Sequence, residues 1–350
     1  MRLKKKIIIL LNTITPYQLN FFEELKKKVD LKIIFYSKNY DNYKFNFKKK
    51  KNHIFLDKEQ NILKTILLNI NNFKPDLVIV GGYRLKYSLQ IVKFFKKKEI
   101  KFFYWLENLN KNNLIKYNIV KFLIGNRIGK SNGVLAVGEV AKKLYKKFNK
   151  NVINLPYSIK VKSRKKKIFY KNNKVNFLFV GQLIERKGLH YIFNAFESLS
   201  AEEKSKITLR IVGEGNLKNR LKKFMKKNSY VKYYGFLQGK KLEKIYSISD
   251  ILVFPSIFDG WGVVPMEAMD QSLSIILSKN VGVSEIVKHK KNGYIIQPNE
   301  KSLLKTIKTC IKKPKIIKFQ GNRNKKLISD SICNSKKSAN YLIKKAFRII

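Results

Sequence analysis

The sequence is poor in acidic residues, histidine and cysteine, and these scarcities exclude several kinds of site. Its 350 residues include 23 Asp plus Glu, three His and two Cys. Cys310 and Cys333 are too few for a disulfide framework and lack the spacing of zinc ligands, so they indicate a reducing cytoplasm. No D-x-D pair is present to hold a divalent cation, and we expect neither a metal nor another cofactor.

Long apolar runs are missing as well. No run approaches the ~18 residues of a membrane-spanning helix. The segment Met1–Lys6 followed by Ile7–Leu11 has the charge pattern of a signal peptide, but it lacks an apolar core of about 7–15 residues and a small-residue cleavage site. We therefore interpret Ile7–Leu11 as a buried strand and expect a cytoplasmic protein, free or peripheral on the cytoplasmic face of the membrane.

Several nucleotide-binding patterns do not occur. The absence of G-x-G-x-x-G after the first strand disfavours a Rossmann dehydrogenase, and the absence of G-x4-G-K-[ST] disfavours a kinase or ATPase. Zinc spacing, an RNP-like aromatic motif and a basic stripe on one element are also lacking, so no nucleic-acid partner is expected despite a net charge of +53. That charge suits an anionic membrane or anionic substrates, or it reflects a compositional bias toward Lys, Asn and Ile.

Apolar runs that alternate with amphipathic segments are present along most of the chain. Apolar residues make up 44% of the sequence, enough for two cores. Strands are predicted at Ile7–Leu11, Leu31–Phe35, Leu77–Val80, Phe102–Trp105, Gly133–Val137, Asn176–Val180, Ile207–Val212, Val231–Tyr234, Ile251–Phe254, Ser274–Leu277 and Gly293–Ile296. Helices are predicted between the early strands, at Gln18–Lys28, Asn61–Phe73 and Tyr87–Lys98. This alternation predicts an α/β protein with doubly wound parallel sheets.

A lysine-rich, weakly periodic stretch separates two series of strands. We predict an N-terminal domain over residues 1–158, a linker over 159–174 and a second domain over 175–330. Residues 331–350 form the remaining C-terminal segment.

The most informative motif is Phe254–Met269, which holds two acids separated by seven residues. Asp259 lies in a glycine-rich loop after the strand Ile251–Phe254, and Glu267 lies on the helix that follows. The glycines let backbone approach a ligand, and the first amides of the helix attract anions. A carboxylate beside such amides suits a nucleotide, whose ribose hydroxyls donate to the acid while the diphosphate faces the amides.

This stretch resembles the E-x7-E signature of the retaining family 4 glycosyltransferases, with aspartate in place of the first glutamate. The resemblance implies the GT-B fold, in which two Rossmann-like domains face a cleft and the second domain holds a nucleotide-sugar. It also implies that residues 331–350 form a helix that packs back on the first domain. It implies that Glu267 binds the donor ribose and that Asp259, one methylene shorter than the usual glutamate, reaches toward the sugar. Glu267 and Asp259 are expected catalytic residues, together with Lys187 and Glu107.

A second motif, Phe179–Gly188, resembles the family's V-G-R-L…K-G segment. It implies that Lys187 contacts the donor diphosphate, with Arg186 beside it, while Gln182 replaces the family's arginine. The alternative is a basic pair that caps a strand–helix turn. Further family-like turns are Ile211–Gly215 and Val231–Phe236. The expected donor-binding residues are Gly181, Arg186, Gly213, Gly215, Tyr234, Gly235, Phe236, Gly260, Trp261, Gly262 and Val263.

Residues at strand ends of the first half are candidates for the acceptor side. They are Thr15, Tyr83 and Arg84, with Glu107 as a carboxylate that orients an acceptor hydroxyl. For Thr15 a helix N-cap before Pro16 is an equal alternative. The basic amphipathic stretches Tyr17–Lys28 and Asn113–Lys130 either touch a membrane or pack on the core.

Together these features predict a retaining, metal-independent transfer of a sugar from a nucleotide-sugar to a glycan or polyprenyl-linked acceptor. Surface-polysaccharide assembly is the expected setting. One alternative is a nucleotide-sugar epimerase of the same fold, which needs no acceptor. The other is a basic nucleic-acid-binding protein, which would have no use for motifs at successive strand ends.

Overall fold

The computed structural model describes residues 4–12, 14–36, 51–56, 61–82, 88–109, 114–162 and 174–350. The chain divides into two compact units, and each is described by itself. Unit 1 comprises Met1–Lys160 with Ile332–Ile350, and unit 2 comprises Val161–Ser331. Tyr83 and Arg84, and most of the expected linker over 159–174, lie outside the described residues.

Unit 1 is built on a parallel sheet of seven strands in its described part. The strands are β1 Lys6–Leu11, β2 Asp30–Phe35, β3 His53–Phe55, β4 Leu77–Gly81, β5 Phe102–Leu106, β6 Gly133–Ala136 and β7 Val152–Asn154. Their order in the sheet is β3-β2-β1-β4-β5-β6-β7. The helices of this unit are α1 Pro16–Lys26, α2 Ile62–Phe73, α3 Ser88–Lys97, α4 Leu114–Gly129, α5 Glu139–Tyr145 and α13 Ser335–Ala346.

Unit 2 repeats the plan with a parallel sheet of six strands in its described part. They are β8 Val175–Val180, β9 Ile207–Val212, β10 Val231–Tyr233, β11 Ile251–Phe254, β12 Ser274–Ser278 and β13 Tyr294–Ile296, in the order β10-β9-β8-β11-β12-β13. The helices are α6 Leu189–Glu197, α7 Ala201–Ser205, α8 Lys218–Lys227, α9 Gly239–Ser247, α10 Val263–Asp270, α11 Glu300–Lys312 and α12 Pro314–Asp330, with short 3-10 turns at Glu185–Lys187 and Gly282–Ile286.

The central strands are buried along almost their whole length because helices cover both faces of each sheet. In β1 the residues Ile7 to Leu11 are all buried, and β1 pairs with β2 on one side and β4 on the other. In unit 2, β8 is buried throughout and lies between β9 and β11. The strand order reverses direction at each of these strands, and in parallel sheets ligands bind beyond the carboxyl ends at such a point.

The predicted strands are all present, and the predicted parallel α/β class is confirmed. Two short strands, His53–Phe55 and Val152–Asn154, were not predicted, and each forms an edge of the first sheet. The terminal helix α13 packs against α1 within unit 1, and Ser335 donates its backbone N–H to Ile159 O at 2.9 Å. No helix in the described part of the chain combines the length and the apolarity that crossing a membrane requires.

Candidate functional site

Three glycine turns meet at the carboxyl ends of β8, β9 and β10. The N–H of Gly181 donates to Val212 O at 3.0 Å, and the N–H of Gly213 donates to Gly235 O at 2.8 Å. A Cβ on Gly213 would lie 1.8 Å from the carbonyl oxygen of Gly181, so no other residue fits without moving backbone. Gly215 is equally crowded, since its Cβ would lie 2.5 Å from Leu183 O. The turns therefore present a surface of bare backbone at this edge of the sheet.

Lys187 stands next to these turns and points at the loop after β11. It ends the 3-10 turn Glu185–Lys187, and Gly188 follows with φ +72° and packs against the Pro255 carbonyl. The Lys187 ammonium forms an ion pair with the Asp259 carboxylate and lies 5.0 Å above the centre of the Phe254 ring. The structure thus brings together two predicted catalytic residues that are 72 positions apart.

Asp259 is held in place by backbone bonds to the segment after β12. Its N–H donates to Asn280 O at 3.2 Å, and its carbonyl accepts the Gly282 N–H at 3.1 Å. A Cβ on Gly282 would lie 2.3 Å from Gly260 O, which keeps the two loops in contact. Arg186, whose side chain is exposed, donates from Nη1 to Phe258 O at 2.8 Å and fixes the start of the same loop.

Trp261 differs from its neighbours because its side chain turns inward. It is 1% exposed, and its Nε1–H donates to the sulfur of Met266 at 3.3 Å. The next residue, Gly262, has φ +91° and precedes α10, which begins at Val263. The N–H groups of Val263 and Val264, the first two of α10, have no acceptor within the helix, and such amides attract anions. Trp261, an expected donor-binding residue, therefore anchors the loop with its side chain.

Glu267 lies on α10, partly buried, with a neighbour that the sequence did not reveal. The Tyr246 hydroxyl, from α9, donates to Glu267 Oε2 at 3.0 Å. Burial raises the pKa of the Glu267 carboxyl to about 7; the Tyr246 bond and Lys162 lower it, and Asp270 and Glu243 raise it. A carboxylate that titrates near neutrality and keeps an acceptor oxygen suits a pair of hydroxyl donors such as a ribose.

A small cavity opens beyond the end of β10, beside the third glycine turn. It has a volume of about 370 Å³, and Phe236, Leu237, Gln238, Lys240 and Lys241 line it. Phe236 is 40% exposed, and an aromatic ring at such a place offers a stacking surface for a planar base. The Tyr234 side chain is half-buried. Its backbone N–H donates to Ile211 O at 3.0 Å and extends the hydrogen bonds between β9 and β10.

Thr15 and Glu107 lie in unit 1, and each is engaged by its neighbours. Thr15 stands at the N-cap position of α1, with Pro16 first in the helix, but its hydroxyl donates to Gln18 Oε1 at 2.7 Å and caps no backbone N–H. Glu107 follows β5, and its carbonyl accepts the Tyr145 hydroxyl at 2.6 Å. The acceptor-side candidates that are described thus belong to one unit, and Tyr83 and Arg84 lie outside the described residues.

The Glu107 side chain borders a group of aromatic rings. The hydroxyl of Tyr157 hydrogen-bonds to both Glu107 and Tyr17, and burial together with these partners raises the pKa of Tyr157 well above its usual value. Its ring lies 4.9 Å from that of Tyr17 and 5.5 Å from that of Trp105. A carboxylate beside aromatic faces is a common surface for a sugar, whose ring stacks while its hydroxyls donate. Tyr157 was not singled out by the sequence.

Within the described ranges no three residues among His, Cys, Asp and Glu converge in a way that could hold a metal ion.

Comparison with known proteins shows a family likeness in the second half of the chain. Residues 160–328 match the family model described as glycosyl transferases group 1. An uncharacterized glycosyltransferase of Methanocaldococcus jannaschii is 30% identical over 149 residues, 42% of this chain and 37% of that protein. Another, of Haemophilus influenzae, is 25% identical over 311 residues, 87% and 83% of the two chains. The O-antigen chain mannosyltransferase B of Escherichia coli is 23% identical over 127 residues, 35% and 33%.

Several of these matches are partial, so the chain spans a little over a third of the Methanocaldococcus protein and a third of the Escherichia enzyme. Solved structures extend the likeness of the fold to almost the whole chain. Anabaena HepE, in complex with UDP, has a TM-score of 0.77 at 14% identity over 98% of this chain and 100% of its own. The lipopolysaccharide outer core galactosyltransferase WaaB has a TM-score of 0.75 at 16% identity over 99% and 100%.

The two parallel-sheet units together with these neighbours confirm the GT-B fold. Through residues 160–328, the chain is similar to the group 1 glycosyl transferases.

Proposed function

We propose that this protein transfers a sugar, with retention of anomeric configuration, from a nucleotide-sugar to a glycan or polyprenyl-linked acceptor in surface-polysaccharide assembly. One observation carries the proposal: the ion pair of Lys187 with Asp259 joins the turn after β8 to the loop that leads into α10 and Glu267, beside the glycine turns that follow β8 and β9. The similarity to an O-antigen chain mannosyltransferase supports a glycan acceptor. The UDP complex of HepE supports a nucleoside diphosphate as the leaving group.

The chemistry follows from where charge develops. When the glycosidic bond of the donor breaks, negative charge grows on the departing diphosphate. The Lys187 ammonium and the first N–H groups of α10 are preorganised donors that stabilise this charge without a metal. Glu267 accepts hydroxyl protons of the ribose, and Phe236 stacks on the base. When the donor binds, the Asp259 carboxylate releases Lys187 and accepts a hydrogen bond from a sugar hydroxyl.

The acceptor binds on unit 1 in this proposal. Glu107 accepts a proton from an acceptor hydroxyl, and the rings of Tyr17 and Tyr157 provide stacking faces. Thr15 contributes a hydroxyl at the start of α1. Tyr83 and Arg84 remain candidates by their sequence position. A cytoplasmic location, with peripheral contact to anionic lipid, would give the protein access to a polyprenyl-linked acceptor.

The membrane contact is assigned to α4. Ile119, Phe122 and Leu123 share one helix face and are 55%, 78% and 53% exposed. Arg127 and Lys130 follow on the same helix and the turn after it. An apolar face with neighbouring basic groups is suited to the headgroup region of an anionic bilayer.

The function is tested by nucleotide binding followed by turnover. Thermal unfolding is measured with UDP, GDP, dTDP and ADP and no added metal, in wild type and in Glu267→Ala. Stabilisation by one nucleotide that is lost in the variant supports the donor site, while an equal response in the variant would reject it. The corresponding nucleotide-sugar is then incubated without acceptor, because sugar inversion under these conditions would identify an epimerase instead.

A further inference from the structure

A second cavity lies in unit 2, at the opposite edge of the sheet from the glycine turns. It has a volume of about 290 Å³ and opens at the amino-terminal ends of β8, β9 and β10. Polar and basic side chains provide most of its lining, namely Lys174, Asn176, Thr208, Arg210, Ser229 and Lys232. None of these residues belongs to the donor site described above.

The strand register explains why the polar groups share one face. Thr208 on β9 pairs with Asn176 on β8, and Arg210 on β9 pairs with Lys232 on β10. Residues 208 and 210 are two apart and therefore point to the same side of the sheet. The other side carries the apolar residues Phe177, Leu209 and Ile211, which belong to the core of unit 2. One sheet face thus has a polar patch where an apolar one would be expected.

Arg210 is the residue that makes this patch unusual. It is 9% exposed, and its Nη1 donates to Asn176 Oδ1 at 2.8 Å. Its Nε is buried and has no hydrogen-bond partner among the described residues. A guanidinium carries five N–H donors, and a buried donor without a partner costs about 1–3 kcal/mol. The structure therefore retains a buried charged group with unused hydrogen-bonding capacity that lines an open cavity.

The orientation of Arg210 is fixed by a second layer of hydrogen bonds. Asn176 donates from Nδ2 to Asp250 Oδ2 at 2.8 Å, and its backbone N–H donates to the same oxygen at 2.9 Å. Asp250 is 1% exposed, so its carboxylate is engaged beneath the patch and does not line the cavity. Asn176 in turn presents its carbonyl oxygen to the guanidinium. The hydrogen bonds from Asn176 to Asp250 and from Arg210 to Asn176 orient the guanidinium before any ligand binds.

The other residues that line the cavity favour binding of an anion. Lys174 and Lys232 add two positive charges, and Thr208 and Ser229 add hydroxyl donors. The Nε–H of Arg210 is unengaged, and a planar guanidinium binds the oxygens of a tetrahedral oxyanion through paired N–H donors. The cavity volume holds a phosphate group with a small organic substituent.

We propose that this cavity is a second anion site, specific for a phosphate or phosphomonoester group and built around Arg210. The proposal does not depend on the function of the donor site, since it uses other residues at the other edge of the sheet. Phosphomonoesters reach a protein either as soluble compounds or as lipid headgroups, and both present the same group to Arg210.

The test measures phosphate affinity by titration calorimetry at constant ionic strength in the absence of nucleotide, and the comparison of variants separates this cavity from the donor site. Arg210→Gln removes the guanidinium, and Thr208→Val removes a neighbouring hydroxyl with little change of shape. Arg323→Gln, on the surface of α12 in the same unit, is the matched control. We expect Arg210→Gln to weaken phosphate binding at least about tenfold, Thr208→Val to weaken it about threefold, and the control to match wild type.

Equal phosphate affinity in wild type and in both cavity variants would overturn the proposal, as would equal weakening in Arg323→Gln. Arg210→Gln also removes a buried hydrogen bond, so its fold is checked by circular dichroism. If that variant does not fold, the result for Thr208→Val decides. Glycerol phosphate and vesicles containing phosphatidic acid are compared last. Arg210-dependent binding of the first assigns a soluble ligand, and Arg210-dependent binding of the vesicles alone assigns a headgroup.

Discussion

The ammonium group of Lys187 rests against the carboxylate of Asp259 and above the ring of Phe254. Only 12% of the Lys187 side chain and 18% of the Asp259 side chain remain exposed. The pair joins the turn after β8 to the loop after β11, two segments that the sheet topology places side by side. In the proposed function, a donor diphosphate therefore competes with Asp259 for Lys187. We expect different effects when each of the two residues is replaced.

Replacement of Lys187 by methionine keeps the length of the side chain and removes its charge. We expect turnover to fall by about 10²–10³, the usual cost of losing one donor that stabilises the leaving group. Release of nucleoside diphosphate from the donor chosen by the binding screen measures this effect. Lys206→Met, which removes an exposed lysine paired with Glu202, is the control and should keep wild-type turnover. Equal turnover in both variants would exclude Lys187 from the site.

Replacement of Asp259 by asparagine should separate nucleotide binding from sugar binding. Lys187 loses its carboxylate partner and becomes available, so nucleoside diphosphate binds about fivefold more tightly, as expected for release of an ion pair worth about 1 kcal/mol. The intact nucleotide-sugar gains less, since Asp259 also serves the sugar in the proposed function. Titration calorimetry with both ligands measures the difference. Weaker binding of the diphosphate alone would show that Asp259 does not compete for Lys187, and Asp259→Glu should restore wild-type behaviour.

Much of this arrangement follows from the sequence because parallel sheets are regular. Runs such as Ile7–Leu11 and Ile251–Phe254 are apolar throughout, as buried strands must be, and the glycine motifs follow the strands β8, β9, β10 and β11. The strands His53–Phe55 and Val152–Asn154 have three residues each, too short for any period to appear. They are edges of the sheet, so their position depends on the strand beside them and not on their own pattern.

Other parts of the site arise from packing between distant segments. Tyr246 reaches Glu267 from α9, a helix whose local pattern marks only a buried face. Trp261 stands in a loop motif that suggested ligand contact, yet its ring is buried against Met266. The sequence gives the order of these residues along the chain, but the direction in which each side chain points is decided by its neighbours in space.

The raised pKa of Glu267 predicts a pH dependence of donor binding. The carboxyl has a pKa of about 7 in the folded protein against an ordinary value of 4.5, so a large fraction is protonated below neutrality. Only the ionised form offers acceptors to both ribose hydroxyls, and donor affinity should therefore rise as pH increases from 6 to 8. Glu267→Gln should abolish this rise while binding more weakly throughout. A pH-independent affinity in wild type would contradict the assigned role.

The same group links pH to stability, with the opposite sign. A carboxyl whose pKa is raised on folding favours the folded state below about 4.5, and this contribution is lost as pH rises through about 7. The melting temperature of Glu267→Gln, measured relative to wild type, should therefore increase between pH 5 and pH 8. A constant difference over this range would mean that the Glu267 carboxyl does not titrate there.

The exposed face of α4 predicts how strongly the protein binds anionic vesicles. Phe122→Asp places a charge at the centre of that face, and burial of a phenylalanine is worth about 1.5–3 kcal/mol. We expect co-sedimentation with anionic vesicles to weaken at least about tenfold. Phe319→Asp makes the same change at a residue of α12 that is 57% exposed in unit 2. If the protein bound vesicles through its net charge alone, both substitutions would weaken vesicle binding equally. That result would show that α4 is not the membrane contact.

Close approach of backbone at the glycine turns predicts that Gly213 tolerates no side chain. In Gly213→Ala the new Cβ would meet the Gly181 carbonyl oxygen at 1.8 Å, so one turn must move away from the other. We expect a loss of about 2–4 kcal/mol in the free energy of unfolding, measured by urea denaturation, together with loss of nucleotide binding. The matched change is Gly239→Ala, whose φ of +58° is also positive but whose Cβ meets nothing within 4 Å. Backbone strain alone accounts for about 1 kcal/mol there. If the two variants were equally stable, the crowding between Gly181 and Gly213 would not hold the turns together, and the surface on which the diphosphate is proposed to lie would lose its physical basis.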